Sequence, residues 1–588
     1  MFQQILAPVA DSLALSALCA AVPLVTLFVL LGGLRMKAWI AGVISLVVSI
    51  VVAILFFEMP TDQALLAASE GAAFGFFPIL WIVINAIWVY NLTVETGHFD
   101  VLRLSFSRVS PDHRIQAIII AFCFGALLEA LAGFGTPVAI TVVMLLALGF
   151  APIKAAAVAL IANTAPVAYG ALATPIVTLA TVTSGVNDDP RLNIDTLGAM
   201  VGRQTPILAI IVPLVLVFVV DGMRGVRHTW LPAIVAGLSF GIAQFVASNY
   251  ISVPLTDIVA ALVGAAAVVL LLRFWQPAED ITTADMEHSA GHAQGSGEPP
   301  VGAVVGGAPG EQRADAGTGG TTGSGLTASG RPMPDAEHRT EVIKAYTPYL
   351  IIIAIFSVAN IPAVKEALAE KPWTIPFQWP GLNVLNTAGD PLSSMTYNFN
   401  WFPAAGTLMI FAGILTAIVL KISPGRMLKQ YGATYYELRW AIVTVMAVLA
   451  LAYVMNMSGQ TNTLGAFLAE TGGLFVILSP ILGWLGVAVT GSDTSANALF
   501  GALQVQTAAK AGLDPVLLAA ANSSGGVLGK MVSPQNLAIA AAAVGMAGKE
   551  GDIFRKVMGW SFVLLVFMCV IVALQASPVL DWMVPTAP

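Results

Sequence analysis

Apolar runs of about 20 residues, the length a helix needs to cross a bilayer, recur along the whole chain with short polar stretches between them. In the first part they fall at 12–34, 38–57, 71–91, 115–132, 138–150, 204–220, 229–247 and 253–273. In the second they fall at 346–362, 401–420, 438–457, 464–490, 496–509 and 557–575. Two further runs, 152–183 and 515–546, are apolar but interrupted by glycine and proline, which break helices. The pattern predicts an all-α polytopic membrane protein with about 12–16 membrane elements, some of them broken helices or re-entrant hairpins. The first run has no basic flank before it and is too long for the core of a cleaved signal, so it reads as the first transmembrane helix.

The apolar pattern stops between 276 and 342. This stretch is rich in glycine, threonine, serine and proline, with few large apolar residues, and cannot bury enough surface to fold alone. It is expected to be a disordered cytoplasmic linker between an N-terminal membrane half, 1–275, and a C-terminal membrane half, 343–588. A second polar stretch, 363–400, carries Trp373, Phe377, Trp379, Tyr397 and Phe399, and reads as an interfacial aromatic belt or a small outer cap.

Basic residues in short loops set the orientation. Arg35 and Lys37, then Arg103, Arg108 and Arg114, then Arg224 and Arg227 mark the cytoplasmic side, as do Lys421, Arg426, Lys429, Lys549, Arg555 and Lys556. Both termini are then expected on the periplasmic side, which requires an even number of crossings.

Two stretches share an ordered set of residues. In the first, Asn163 is followed by Gly170 and by Thr174-Pro175; in the second, Asn522 is followed by Gly529 and by Ser533-Pro534, at the same spacings of seven and eleven residues. Upstream, Gly133 and Thr136 match Gly491 and Thr494, and Gly149 with Pro152 matches Gly512 with Pro515. By the loop charges the two stretches run in opposite directions, so an inverted-topology repeat is expected. Transporters built on such repeats hold substrate near the midplane, at discontinuous helices whose free N–H groups suit an anion.

Composition agrees with the membrane reading: 10% of residues are charged, against about 25% in a soluble domain. No basic tract suggests nucleic acid. Cys19, Cys123 and Cys569 lie in apolar runs without metal-ligand spacing and are expected to be buried packing residues. The six histidines all lie in loops or the linker, which argues against intramembrane histidine chemistry. No metal or cofactor is expected, and the chain is not expected to be an enzyme.

The candidate chemistry sits at the breaks. Glu129 lies in an apolar region and is followed by Gly133, Phe134, Gly135, Thr136 and Pro137; broken backbone at membrane depth survives only where protein buries it or a polar cavity wets it. The second half supplies Ser492, Asp493, Thr494, Ser495 and Asn497 between apolar runs. Their hydroxyls, amide and carboxylate can line a small polar pocket, or cap a helix break. Glu129 and Asp493 are the carboxylates of the two stretches and the candidates for carrying a proton, since a buried carboxylate exchanges one nearer neutral pH. Lys530 either holds an anionic substrate or pairs with Asp493 or Glu129; its counterpart in the first half is Ala171. Arg203 and the pair Tyr90 and Asn91 read as interfacial, and His98 as a loop residue.

These residues resemble the L-lactate permease family of bacterial inner-membrane transporters. The likeness is carried by 129–140, 163–170, 483–500 and 529–535, and runs nearly end to end outside the linker. It implies proton symport of small 2-hydroxymonocarboxylates such as L-lactate, D-lactate and glycolate into the cell. The substrate carboxylate is then expected at the breaks, on Gly133, Phe134, Gly135 and Thr136 and on Ser492, Thr494 and Ser495, with Lys530 assisting. Asn163, Thr164, Asn522 and Ser523 complete the expected pocket, and Glu129 or Asp493 carries the proton. A sodium-coupled carboxylate carrier is the main alternative, because backbone carbonyls at broken helices also suit Na⁺; a passive channel is the other. The expected partners are the small-molecule substrate, protons and the lipid bilayer, with the oligomeric state left open.

Overall fold

The computed structural model describes residues 1–586 except 108, 134, 188, 278–334 and 547–548; most of the expected linker therefore lies outside the described residues, and the helix Asp335–Ala359 begins within its last part. Among the described residues, ten helices are long and apolar enough to cross a membrane. The bent pair Pro152–Ala162 and Val167–Thr183, turned by 64°, makes an eleventh. Two shorter apolar helices, Thr136–Ala147 and Ala405–Val419, complete the set.

The runs at 204–220 and 229–247 are the two limbs of the stretch Thr205–Val246, whose backbone leaves helical geometry between them at Gly222 and Thr229. The two limbs lie against each other: a methyl group added at Gly237 would come within 2.5 Å of the Ile210 carbonyl oxygen. Other expected boundaries move. The run at 464–490 is instead two helices, Gln460–Ala469 and Phe475–Thr490. The run expected at 71–91 begins earlier, at Thr61, and continues to Glu95 across a break at Phe77, next to Pro78.

The helices start where the sequence supplies a cap. Ser492, Asp514 and Ser533 each accept a hydrogen bond from the backbone N–H three residues on, and Pro515 and Pro534 occupy the first turns that need no N–H partner. Such caps contribute about 1 kcal/mol each.

The two matched stretches have matching local structure. Gly133 and Gly491 both sit at positive φ, +51° and +75°, where a helix ends. The next helices begin at Thr136 and Asp493 and end before Gly149 and Gly512, and Pro152 and Pro515 open the helices that follow. They diverge after Gly170 and Gly529. In the first, Ala171, Leu172 and Ala173 take left-handed φ of 43–60° before Thr174, at about 1–2 kcal/mol per residue. In the second, a 3-10 turn runs over Lys530–Val532.

The buried apolar residues form two clusters. One gathers the broken stretches of both halves, from 115 to 268 and from 475 to 572. The other gathers the helices Leu13–Phe28, Ala38–Leu55, Thr61–Phe74 and Pro424–Ser458, and also takes in Ala171, Val182, Leu499 and Phe500. Those four residues belong to the broken stretches, so the breaks lie along the boundary between the clusters.

The aromatic loop is a small cap. Ile375–Gln378 pairs antiparallel with Thr396–Phe399, and Val384–Leu385 pairs in parallel with Phe2–Gln3 at the N-terminus. The C-terminal segment lies on the same face. The Arg191 guanidinium donates to the Pro585 carbonyl, and the loop carrying Arg191 borders the same vestibule as Asn398 of the cap. The basic loops gather at the other ends of the helices: Arg114 pairs with Asp221 at 3.3 Å, and the Lys154 ammonium donates to the Val220 carbonyl.

Candidate functional site

A cavity of about 40 Å³ lies where the two broken stretches meet. The first stretch contributes Glu129, Gly133, Gly170, Ala171 and Thr174; the second contributes Ser492, Asp493, Thr494, Lys530 and Gln535. Hydropathy cannot bring such residues together; the packing of the helix breaks against one another does.

Glu129 and Lys530 form an ion pair of 2.5 Å, with both side chains nearly fully buried. The second oxygen of Glu129 accepts from the Asn163 amide at 3.0 Å. Removing two charges from water costs several kcal/mol per ion, which only close geometry and further hydrogen bonds offset. Of the two carboxylates, Lys530 pairs with Glu129, and the same ammonium lies within electrostatic range of Asp493.

Asp493 stands at the start of the helix Asp493–Ala511. Its Oδ2 accepts from the Ser523 hydroxyl at 2.6 Å and from the Asn497 amide at 3.5 Å, while its Oδ1 has no hydrogen-bond partner. Behind it runs a polar chain: Asn522 donates to Asn497 at 2.9 Å, and Gln504 donates to Asn522 at 3.0 Å. The Asn497 amide also reaches the Pro175 carbonyl of the other half. Gly526 is required beside this carboxylate, because a Cβ there would stand 2.4 Å from Asp493 Oδ1.

The expected site residues divide. Glu129, Gly133, Ser492, Asp493, Thr494 and Lys530 line the cavity. Asn163 and Ser523 act through the two carboxylates. Asn522 lies a layer behind. Ser495 donates its N–H to Ser492. Gly135 faces Ile539, and Thr136 opens its helix outside the lining. Thr164 lies in the turn after its helix and outside the lining, and its hydroxyl donates to the Ile161 carbonyl. Phe134 lies outside the described residues. Arg203 is held by Asn249 and the Met583 carbonyl, and His98 by Glu341. Cys19 is half-buried rather than buried.

Sequence reasoning passed over Gln504 and Gln535, and read the Asn497 amide as pocket lining, whereas it lies behind the cavity and donates to Asp493. Gln504 and Asn497 fall on one helix at a spacing of seven residues, the two-turn repeat that puts them on one face. That spacing was the available signal.

A second cavity, of about 880 Å³, opens beneath the cap. The helix Gly170–Thr183 joins the two: Ala171 and Thr174 line the small cavity, and Val177, Thr181 and Ser184 line the large one. From Thr174 to Thr181 is about 10 Å along a helix.

A profile of the family described as L-lactate permease matches residues 16–579. An L-lactate permease of Bacillus subtilis (strain 168) is 39% identical over 596 residues, covering 98% of this chain and 99% of the relative. An L-lactate permease of Escherichia coli (strain K12) is 40% identical, covering 98% of each chain. The glycolate permease GlcA of the same organism is 41% identical over 574 residues, covering 96% of each. Among solved structures, the YdaH transporter of Alcanivorax borkumensis is similar with a TM-score of 0.42 at 14% identity, over 86% of each chain.

Proposed function

The chain belongs to the L-lactate permease family, a family of membrane transporters rather than enzymes, and on that premise we propose that it takes up L-lactate, D-lactate and glycolate by proton symport across the inner membrane. The observation that carries this reading is the placement of one buried ammonium, Lys530, beside two buried carboxylates, Glu129 and Asp493, on one cavity. With all three ionised the site holds one net negative charge, and a monocarboxylate would add another. A proton taken by either carboxylate offsets the charge that the substrate brings, and one taken by Glu129 also frees Lys530 to meet the substrate carboxylate. The N–H groups at the start of the helix Asp493–Ala511 face the same region and favour an anion.

The matched breaks support an inverted repeat in which each half, 1–275 and 343–588, supplies one interrupted stretch to a shared midplane site, with 276–342 linking them on the cytoplasmic side. Termini on one face fit a periplasmic position for both. The vestibule beneath the cap then is the outer entrance, and the substrate passes along the helix Gly170–Thr183 to the small cavity.

The test is uptake of labelled L-lactate into proteoliposomes under an imposed pH gradient in sodium-free buffer, with glycolate and pyruvate as competitors. Accumulation driven by the gradient and displaced by glycolate is the expected result. Uptake that needs sodium, or equilibration without accumulation, would replace the reading with a sodium-coupled carrier or a channel.

A further inference from the structure

One buried acid stands apart from this site. Glu70, on the helix Thr61–Phe74, is fully buried, and neither carboxyl oxygen has a hydrogen-bond partner. The helix is pressed against its neighbour there: a Cβ on Gly71 would meet the Leu449 carbonyl oxygen at 2.5 Å and the Tyr453 Cβ at 2.8 Å. One turn on, the Phe74 ring packs against Tyr397 of the cap and Tyr453, with centroids at 4.4 and 5.2 Å.

The titratable groups facing Glu70 are Tyr397, from the cap, and Tyr453, from the helix Pro424–Ser458; both phenols are neutral at physiological pH. Among the described residues no lysine or arginine forms an ion pair with it. An ionised carboxylate without partner or water costs many kcal/mol, whereas the neutral acid costs a few. Yet the group is not remote from water, because Phe74 and Tyr453 both line the vestibule. The Tyr397 hydroxyl donates at 2.6 Å to the Phe77 carbonyl, at the break in the same helical run. Glu70 therefore sits at the joint between the cap, the broken helix and the vestibule wall.

We propose that Glu70 is a second proton-binding site, distinct from Glu129 and Asp493, that holds a proton in this conformation and exchanges it through the vestibule. Losing the proton places an unpaired charge between the helix Thr61–Phe74 and its neighbours, and loosens the vestibule wall. The proposal adds to the symport reading, and its primary measurement needs no substrate.

The experiment is pH-difference infrared spectroscopy of the full chain reconstituted in lipid without substrate, comparing wild type with Glu70→Gln, Glu129→Gln and Asp493→Asn. A protonated-carboxyl band that titrates in wild type, vanishes in E70Q and persists in E129Q and D493N is the expected result. Its persistence in E70Q, or its absence from wild type, overturns the proposal. Glutamine is the neutral isostere of the protonated acid, so E70Q is expected to purify and melt like wild type; a misfolded E70Q contradicts a neutral Glu70. L-lactate counterflow supplies the functional arm. It is expected to lose in E70Q a pH-dependent fall that in wild type approaches tenfold per pH unit at its steepest, and an unchanged pH profile overturns the proposed role. Failure of gradient-driven uptake in wild type would count against symport, and leaves the infrared outcome to decide Glu70 separately.

Discussion

The Lys530 ammonium lies 2.5 Å from the Glu129 carboxylate, and the contact joins residues 401 apart in the chain. It ties the first broken stretch to the second at the cavity they share, so each partner's charge is tolerable only while the other is present.

Removing one charge alone is therefore expected to cost more than removing both. Lys530→Met or Glu129→Gln should destabilise the protein by about 3 kcal/mol, the scale of a broken buried pair, while the double variant recovers most of that loss. Thermal unfolding of the purified proteins measures this cycle. E129Q should also abolish pH-driven lactate accumulation, and full accumulation in that variant would remove Glu129 from coupling.

Two hydroxyls expected at the site should behave differently. Ser523 donates to Asp493, whereas Thr164 donates to the Ile161 carbonyl of the helix that precedes it. Ser523→Ala should lower lactate uptake efficiency by roughly tenfold or more, since a hydrogen bond to a charged group contributes about 1.5–3 kcal/mol. Thr164→Val should stay close to wild type. Equal losses in both transport assays would argue against this division.

Gly526→Ala places a methyl group against Asp493 Oδ1 and the Val487 side chain. It is expected to cost about 1–3 kcal/mol of stability by overpacking, and to abolish transport in protein that still inserts and purifies. Wild-type transport by G526A would show that Asp493 need not hold its position.

Outside the membrane, Arg191 binds Asp189 at 2.7 Å and Asp514 at 2.8 Å. The hydrogen bonds from Arg191 hold the Asp189 carboxyl below its usual range. Its stabilising contribution is therefore complete above the unfolded-state value, near pH 4, and fades as the pH falls through the lower folded-state value. Melting curves between pH 7 and pH 3 should fall more for wild type than for Arg191→Gln; parallel falls would exclude this clasp as an acid-sensitive link.

Much of this was legible from residues in order. Glycine and proline in apolar surroundings marked the break at Gly133, and a run of small polar residues between apolar runs marked the one at Gly491, because local backbone preference is written locally. The partner of Lys530 was legible only as one of three options, because a contact across 401 residues leaves no trace in periodicity. The turn between the limbs of Thr205–Val246 was legible as a polar gap carrying Arg224 and Arg227 between two apolar runs, and the backbone leaves helical geometry there at Gly222 and Thr229. Glu70 was missed for a different reason. Its helix opens on Thr61, Asp62 and Gln63 and carries Ser69 beside Glu70, so the apolar run reads as beginning at 71 and leaves Glu70 in a loop. The cap supplies the cover that hydropathy cannot count: Gln63 donates to the Gly381 carbonyl and Ser69 accepts from Trp379.

The short pairing of Phe2–Gln3 with Val384–Leu385 also dictates an order of assembly. The N-terminal strand leaves the ribosome first, and its mate is made some 380 residues later, a wait of roughly 20–80 s at ordinary rates of synthesis. Until then Phe2 and Gln3 lack this strand partner, and the cap over the vestibule is incomplete. Completion of the cap is thus tied to synthesis of the second half, and a polypeptide truncated before Val384 leaves the strand Phe2–Gln3 without its mate.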